Sequence, residues 1–277
     1  MTSTLNSFNM HITNTEPLMG GLTNACLKVT ANEGTYVWRP VSEEAKRLGA
    51  DREKECGILI ALADYSFVPN LIESSKEGLL VQWFDGEVIQ LTEAQPVAVD
   101  LMTRVHELPL SLMTGHISLQ RLSYKERIQS YWSYLTPENQ TPNLKAYIDY
   151  FSLQDDSSKF PECLCHNDIG AYNIIVTEDD YGLIDWEYAS VGDPSQDLTT
   201  MIIANQFEGQ AVIEQYCAVR GGEVLEWQAA FDYWRPWVCM IGALWFALGY
   251  QQSSEACYTE LAERELATLL KIAPLNK

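Results

Sequence analysis

The chain is poor in positive charge. Its 277 residues include 18 Lys and Arg against 38 Asp and Glu, a formal net charge of −20. A surface of that sign repels phosphate backbones and anionic lipid, which argues against nucleic acid or a membrane as the main partner. Histidine is scarce, with four in all, and the seven cysteines are odd in number and irregularly spaced. Neither a disulfide framework nor a zinc-ligand spacing emerges. The stretch MTSTLNSFNM carries no basic segment followed by an apolar run, so no secretory signal is read there. The most apolar run, WVCMIGALWFALGY (237–250), is shorter than the roughly 20 residues that a spanning helix needs. Asp232 and Arg235 flank it closely, so it reads as a buried core helix. Internal repeats and low-complexity tracts are absent. The expectation is a reduced, cytoplasmic globular protein without membrane insertion, whose acidity suits cationic small molecules; nothing in the sequence speaks to oligomeric state.

What is present divides into two regions. The first 86 residues read as a small strand-rich unit. ACLKVTANEGTYVWRP gives two strand-like runs around the Asn32-Glu33-Gly34 turn, a hairpin pattern. SEEAKRLGADREKECGILIAL then has helical spacing, with Ile58, Leu59 and Leu62 on the same face as Glu55. An acid on the inward face needs a partner, because an unpaired buried carboxylate is costly. LLVQWF (79–84) reads as a strand that leads through a hinge at about 82–87 into a second unit, 87–277. There helix dominates, interrupted by three short strand-like pieces, CLC, IIV and GLID, between 162 and 185.

Those pieces frame two polar islands, CHNDIGAYN (165–173) and IDWE (184–187). A hydroxyl that attacks phosphorus needs a nearby carboxylate for its proton, and the transferring phosphate needs Mg2+ held by carboxylate and amide oxygens. Asp168 suits the first task, Asn173 and Asp185 the second. Asn173 follows Asp168 by five positions across a tight loop, and Asp185 stands at the end of the next hairpin. Taken singly, each of these residues is equally a loop-bonding group. As an ordered set between strand-like runs they point to phosphoryl transfer.

The pattern H-x-D-x-x-x-x-N followed by I-D-W-E resembles the motifs of the aminoglycoside phosphotransferase and choline kinase superfamily. CHNDIGAYNIIV with LIDWEYASVGDPSQDL is similar in particular to the choline, ethanolamine and thiamine kinase branches. The resemblance runs from about residue 15 to 265. It implies an α+β, bilobal protein-kinase-like fold, with a small β-rich N-terminal lobe and a large, mainly helical C-terminal lobe. It makes Asp168 the catalytic base, Asn173 and Asp185 the Mg2+ ligands, and His166 a structural residue of the loop. Glu187 serves either metal or substrate, and Asp193 and Asp197 brace the catalytic loop. GGLTN, with Gly20, Gly21, Thr23 and Asn24, resembles the nucleotide-phosphate loop. Arg39 stands where the family places its phosphate-binding cation, with Glu55 as its helix partner. Gln82, Trp83 and Phe84 stand at the hinge against adenine.

For the acceptor, Trp234, Trp245 and Tyr250 are pocket candidates beside Glu187, since aromatic faces attract quaternary ammonium and thiazolium ions. Core packing is the competing explanation for these aromatics. The expectation is an ATP-dependent kinase for the hydroxyl of a cationic alcohol of the choline, ethanolamine or thiamine type. The alternatives are an aminoglycoside phosphotransferase and a catalytically inactive, kinase-like nucleotide-binding protein.

Overall fold

The structure is a computed structural model, described here for residues 8, 10–18, 26–114 and 121–275. The GGLTN segment, and with it Gly20, Gly21, Thr23 and Asn24, lies outside the described residues.

The small lobe is built on a five-stranded antiparallel sheet in the order β1-β2-β3-β5-β4. The strands are β1 (Ile12–Pro17), β2 (Leu27–Ala31), β3 (Gly34–Pro40), β4 (Leu71–Ser75) and β5 (Gly78–Gln82). The β2–β3 hairpin closes at Ala31 opposite Gly34, at the Asn-Glu-Gly turn. Alternation along the strands separates two faces. Val29, Trp38 and Leu80 form one small core with Phe8, while Val37, Leu79 and Val81 face the larger core. Between β3 and β4 lie α1 (Glu43–Arg47) and α2 (Arg52–Ala61). Each is started by a side-chain cap, Ser42 and Asp51 respectively. The apolar face of α2 (Ile58, Leu59) and the following Leu62 are buried in the larger core together with α3 and Trp186 of the large lobe. One lobe thus packs on the other through α2.

The chain leaves the sheet after Gln82 and re-enters regular structure at β6 (Glu87–Val88), which pairs with β8. Gly86 makes this crossing possible: a side chain there would meet the Val176 carbonyl oxygen at 2.0 Å. The region that carries the two polar islands consists of β7 (Cys163–Cys165), β8 (Ile174–Val176), β9 (Tyr181–Leu183) and β10 (Ser190–Gly192). β8 and β9 form the expected hairpin, widened to three strands by β6, while β7 pairs with β10. The remainder is helical, with α3 (Leu91–His106), α4 (Tyr124–Tyr134), α5 (Pro142–Ser152), α6 (Pro194–Asn205), α7 (Gly209–Arg220), α8 (Val224–Ser253) and α9 (Ala256–Ile272). The 237–250 run is the middle of α8, whose Trp237, Met240, Leu244 and Leu248 belong to a core shared with α4, α5 and α9. Among the described residues no helix is long and apolar enough to cross a membrane.

Trp234 belongs to that same core, which corrects its assignment to the acceptor pocket. Its side chain is fully buried, its indole N–H donates to Ser195 Oγ at 3.0 Å, and it packs edge-on against Tyr124 and Tyr233. Aromatic spacing on a helix cannot distinguish a core face from a cavity face; the partner helices decide. Trp234→Ala is therefore expected to cost about 3–5 kcal/mol of stability, read as a lowered midpoint in urea unfolding. A variant with wild-type stability would show that Trp234 is not a core residue.

Candidate active site

The side chains of the 165–173 loop converge because their backbone is held from below. Asp197, fully buried on α6, accepts hydrogen bonds from the backbone N–H groups of His166 (2.8 Å) and Asn167 (2.9 Å). His106 at the end of α3 lies 3.1 Å from the same carboxylate through Nε2 and 2.7 Å from the Tyr216 hydroxyl through Nδ1. Asn205 continues the support, accepting from Ala171 N–H at 2.7 Å and donating to Ile169 O at 2.9 Å. Asn167 sits in the left-handed region (φ 65°), which Asn tolerates better than most residues. Its amide is spent on Tyr188 O and Ser190 Oγ. His166 is buried, which keeps its pKa low and the ring neutral; Nε2–H donates to Ile184 O at 3.1 Å. This bond ties the catalytic loop to the residue before Asp185.

Above this base, Asn173 Nδ2 donates to Asp168 Oδ2 at 2.9 Å, and the Tyr172 hydroxyl donates to Asp168 Oδ1 at 2.6 Å. Among the described residues nothing donates a hydrogen bond to Asn173 Oδ1. Asp185, itself left-handed (φ 70°), begins the short helical turn Trp186–Tyr188 and so turns its carboxylate toward Arg39, with which it pairs. Arg39 Nε lies 2.8 Å from Glu55 Oε1, a charge contact whose N–H is not aligned for a hydrogen bond. Arg39 also reaches Glu187 Oε2 at 3.2 Å. A second arginine, not among the sequence candidates, joins the cluster: Arg52, at the start of α2, donates to Glu55 Oε2 at 2.6 Å and to Glu187 Oε2 at 2.5 Å. Its only signal was a position three residues before Glu55, one helical turn away on the same face.

Arg39 and Arg52 supply two positive charges against three negative ones from Glu55, Asp185 and Glu187, so the cluster retains one negative charge before Asp168 is counted. Burial and the neighbouring acids push Asp168 up to about 8 and Glu187 up to about 7. Crowded acids of this kind are relieved by a hard cation. The donors fit one: carboxylates of Asp185 and Glu187, the free Asn173 Oδ1, and Glu187 Oε1, which is buried with no hydrogen-bond partner. An all-oxygen set is of the type that Mg2+ takes. A softer grouping lies nearby, where His106, Cys163 and Cys165 bring ligand atoms within 4.8 Å of one another. Both nitrogens of that histidine are already engaged by Asp197 and Tyr216, which makes it part of the loop's brace.

A cavity of about 940 Å³ lies between the lobes. Asp168, Asn173, Asp185, Glu187, Arg39 and Glu55 line it. From the hinge, Trp83 and Phe84 do so, with the Lys28 ammonium 4.2 Å above the Trp83 ring. Gln82 does not: its side-chain oxygen accepts from Asn70 N–H and Nδ2, outside the cavity. Trp245 is in the wall with Phe246, Tyr258 and Tyr188, and its indole N–H donates to the Tyr188 hydroxyl at 3.2 Å. Tyr250 is not in the wall. It lies 41% exposed near the end of α8, so its assignment to the acceptor pocket is corrected together with that of Trp234. Phe246 and Tyr258, which the sequence analysis passed over, stand with Trp245 at ring-centroid separations of 5.3 and 6.3 Å.

The sequence model of the phosphotransferase enzyme family matches residues 14–237, and the chain belongs to that family. Thiamine kinase of Salmonella gallinarum is 24% identical over 198 residues, covering 72% of this chain and 70% of the relative. The crystal structure of the choline kinase LicA from Streptococcus pneumoniae superposes with a TM-score of 0.76 at 17% identity, covering 96% of this chain and 97% of that one. A structure of LicA in complex with AMP gives 0.71 at 18% identity, covering 98% and 96%. The fold is thus the bilobal, protein-kinase-like one.

The shared Glu187 carboxylate makes a specific demand on stability. Removing Arg52 leaves two buried acids short of a cation, so Arg52→Met is expected to cost about 3–5 kcal/mol. Adding Glu187→Gln to that variant should restore part of the loss, with a coupling of about 1–3 kcal/mol in a double-mutant cycle. Strictly additive unfolding free energies would show that the two side chains do not interact.

Proposed function

We propose that the protein is an ATP-dependent kinase that phosphorylates the hydroxyl of a small cationic alcohol. The observation that carries this reading is the convergence of Asp168, Asn173, Asp185, Glu187 and Arg39 on one cleft large enough for a nucleotide and a small acceptor. In this reading residues 1–86 form the nucleotide lobe, 82–87 the hinge and 87–277 the catalytic and acceptor lobe. The adenine lies against Trp83 and Phe84; the AMP held by LicA supports a nucleotide in this fold. The phosphates run toward Arg39; GGLTN remains the sequence candidate for the nucleotide-phosphate loop. Asn173 and Asp185 would hold Mg2+, with Glu187 Oε1 the further oxygen in reach. Bound there, the ion would neutralise charge on the phosphates.

Asp168 receives the acceptor. Its carboxylate accepts the hydroxyl proton as the acceptor oxygen bonds to the γ-phosphorus and the bond from that phosphorus to the β-phosphate bridging oxygen breaks, releasing ADP. A carboxyl pushed toward neutrality by burial and neighbouring acids is a stronger proton acceptor than an ordinary aspartate. Glu55 braces Arg39, and His166 holds the loop. The aromatic wall of Trp245, Phe246, Tyr258 and Tyr188 offers ring faces to a cation. The thiamine and choline kinases among the relatives support an acceptor of that class, and the net charge of −20 favours its approach.

A coupled ADP-release assay across choline, ethanolamine, thiamine and an aminoglycoside tests the reading. At least one cationic alcohol should give acceptor-dependent turnover, and the absence of any would overturn it. Asp168→Asn should lower kcat by about 10³-fold or more with the fold intact by circular dichroism; near-normal turnover would remove Asp168 from the role of base. Trp245→Ala should raise KM for the acceptor by roughly 5–30-fold and leave KM for ATP within about 2-fold, whereas an equal rise in both would place Trp245 outside the acceptor wall.

A further inference from the structure

The cavity wall carries a positive charge that the reaction described above does not use. Arg127, on α4, lines the cavity. Its guanidinium lies against Gly49, where an added Cβ would come within 1.4 Å of Nη1, and 5.6 Å from the centre of the Tyr131 ring. Gly49 keeps this space open and also adopts φ +91°, a conformation that suits glycine. The polar neighbours that act on Arg127 are the phenols of Tyr131, Tyr188 and Tyr124. Among the described residues no carboxylate lies within 4.0 Å of it. That isolation stands out in a chain where acids outnumber Lys and Arg by 38 to 18. The other two arginines that line the cavity are each paired with acids, Arg39 with Glu55, Asp185 and Glu187, and Arg264 with Glu265.

A second cation accompanies it. Lys54 on α2 is half-buried, also has no carboxylate within 4.0 Å among the described residues, and has its pKa held down by burial and by the Arg127 charge. The nearest acid acting on it, Asp51, spends a carboxylate oxygen on capping the Glu53 and Lys54 backbone N–H groups. A guanidinium offers five donors in a planar fork that matches a carboxylate or phosphate, and charge-assisted bonds to such groups are the strong ones. Two cations from different lobes that repel each other are brought to rest by an anion.

We propose that the acceptor carries an anionic group, carboxylate or phosphate, that is seated on Arg127, with Lys54 adding to the positive potential there. The substrate class is then a zwitterionic alcohol: a hydroxyl for Asp168, a cationic centre for the aromatic wall and an anion for Arg127. This deepens the kinase reading and rests on it for the hydroxyl alone; the anion contact is a matter of binding.

Two matched pairs of compounds differ by one carboxylate, choline with carnitine and ethanolamine with serine. Isothermal titration calorimetry on the full chain with MgADP compares the members of each pair. The carboxylated member of at least one pair should bind about 10-fold more tightly or better. Arg127→Met should remove most of that difference, and Arg127→Lys should restore part of it. Equal binding within both pairs, no binding by any of the four compounds, or a carboxylate preference that survives Arg127→Met each overturn the proposal. So does a fall in kcat shared equally by every acceptor, which would place Arg127 on the transferred phosphoryl group. Should Arg127→Met not fold, Lys54→Met carries the same comparison, with an expected loss of carboxylate preference of about 3-fold; an unchanged preference there overturns the proposal too. An absence of ADP release from every acceptor counts against the kinase reading and leaves the calorimetric result intact.

Discussion

Glu187 Oε2 is shared by two arginines of the small lobe, Arg39 and Arg52, and the cleft depends on that contact. Arg39 comes from the sheet, Arg52 and Glu55 from α2, and Asp185 and Glu187 from the turn after β9. Desolvating so many charges is expensive, and such a cluster persists only where each member has its partners. The apolar contact of α2 with Trp186 and α3 brings the lobes together without fixing the angle at which they meet. Charge pairing is directional and less tolerant of sliding than that apolar contact. The cluster therefore fixes where Asp185 lies relative to the sheet, at the distance at which Arg39 meets it.

The second requirement is a catalytic loop that cannot relax. Burial, and after it the neighbouring acids, raise the pKa of Asp168, whose carboxylate would lower its free energy by turning toward solvent. The hydrogen bonds beneath it oppose that movement: Asp197 to two backbone N–H groups, Asn205 to a third, and His166 to Ile184 O. Asp197, Asn205 and His166 are all buried, where an unmade hydrogen bond costs more than at the surface. The strain of Asn167 and Asp185 in the left-handed region is carried by the same anchors. The polar brace and the charge cluster meet at the Ile184–Asp185 junction, so the Asp185 and Asp168 carboxylates are held by one continuous set of contacts.

Much of this was legible in the sequence, for identifiable reasons. Short-range chemistry carries its own spacing. The β2–β3 hairpin follows from a glycine turn between alternating strands, and the β8–β9 hairpin from an acidic turn between apolar triplets. The H-x-D-x-x-x-x-N and I-D-W-E islands pointed to one family, which the sequence comparison supports. What was not legible depends on contacts between distant residues. Arg52 looked like any charged residue opening an amphipathic helix until Glu187, 135 positions away, was folded onto it. Trp234 and Trp245 are eleven residues apart, about three helical turns, and cannot be separated by periodicity. The first meets Ser195 and the interior, the second Tyr188 and the cavity. Arg127 was silent because the absence of an acid near it is a property of the fold alone.

The state of Asp168 follows from these constraints. One of its oxygens takes the Asn173 amide and the other takes the Tyr172 hydroxyl at 2.6 Å. Tyr172 is 53% exposed, so its ring has little packing to lose on moving aside. Its hydroxyl presents to Oδ1 the same chemistry as an alcohol donating a hydrogen bond to the carboxylate. On the kinase reading, an acceptor hydroxyl replaces one O–H···O bond with another of the same kind, leaving the half-buried carboxylate satisfied before and after. The exchange is close to balanced in hydrogen bonds. Binding of the acceptor is then decided by the rest of the molecule, at the aromatic wall and at Arg127, and not by the hydroxyl that reacts.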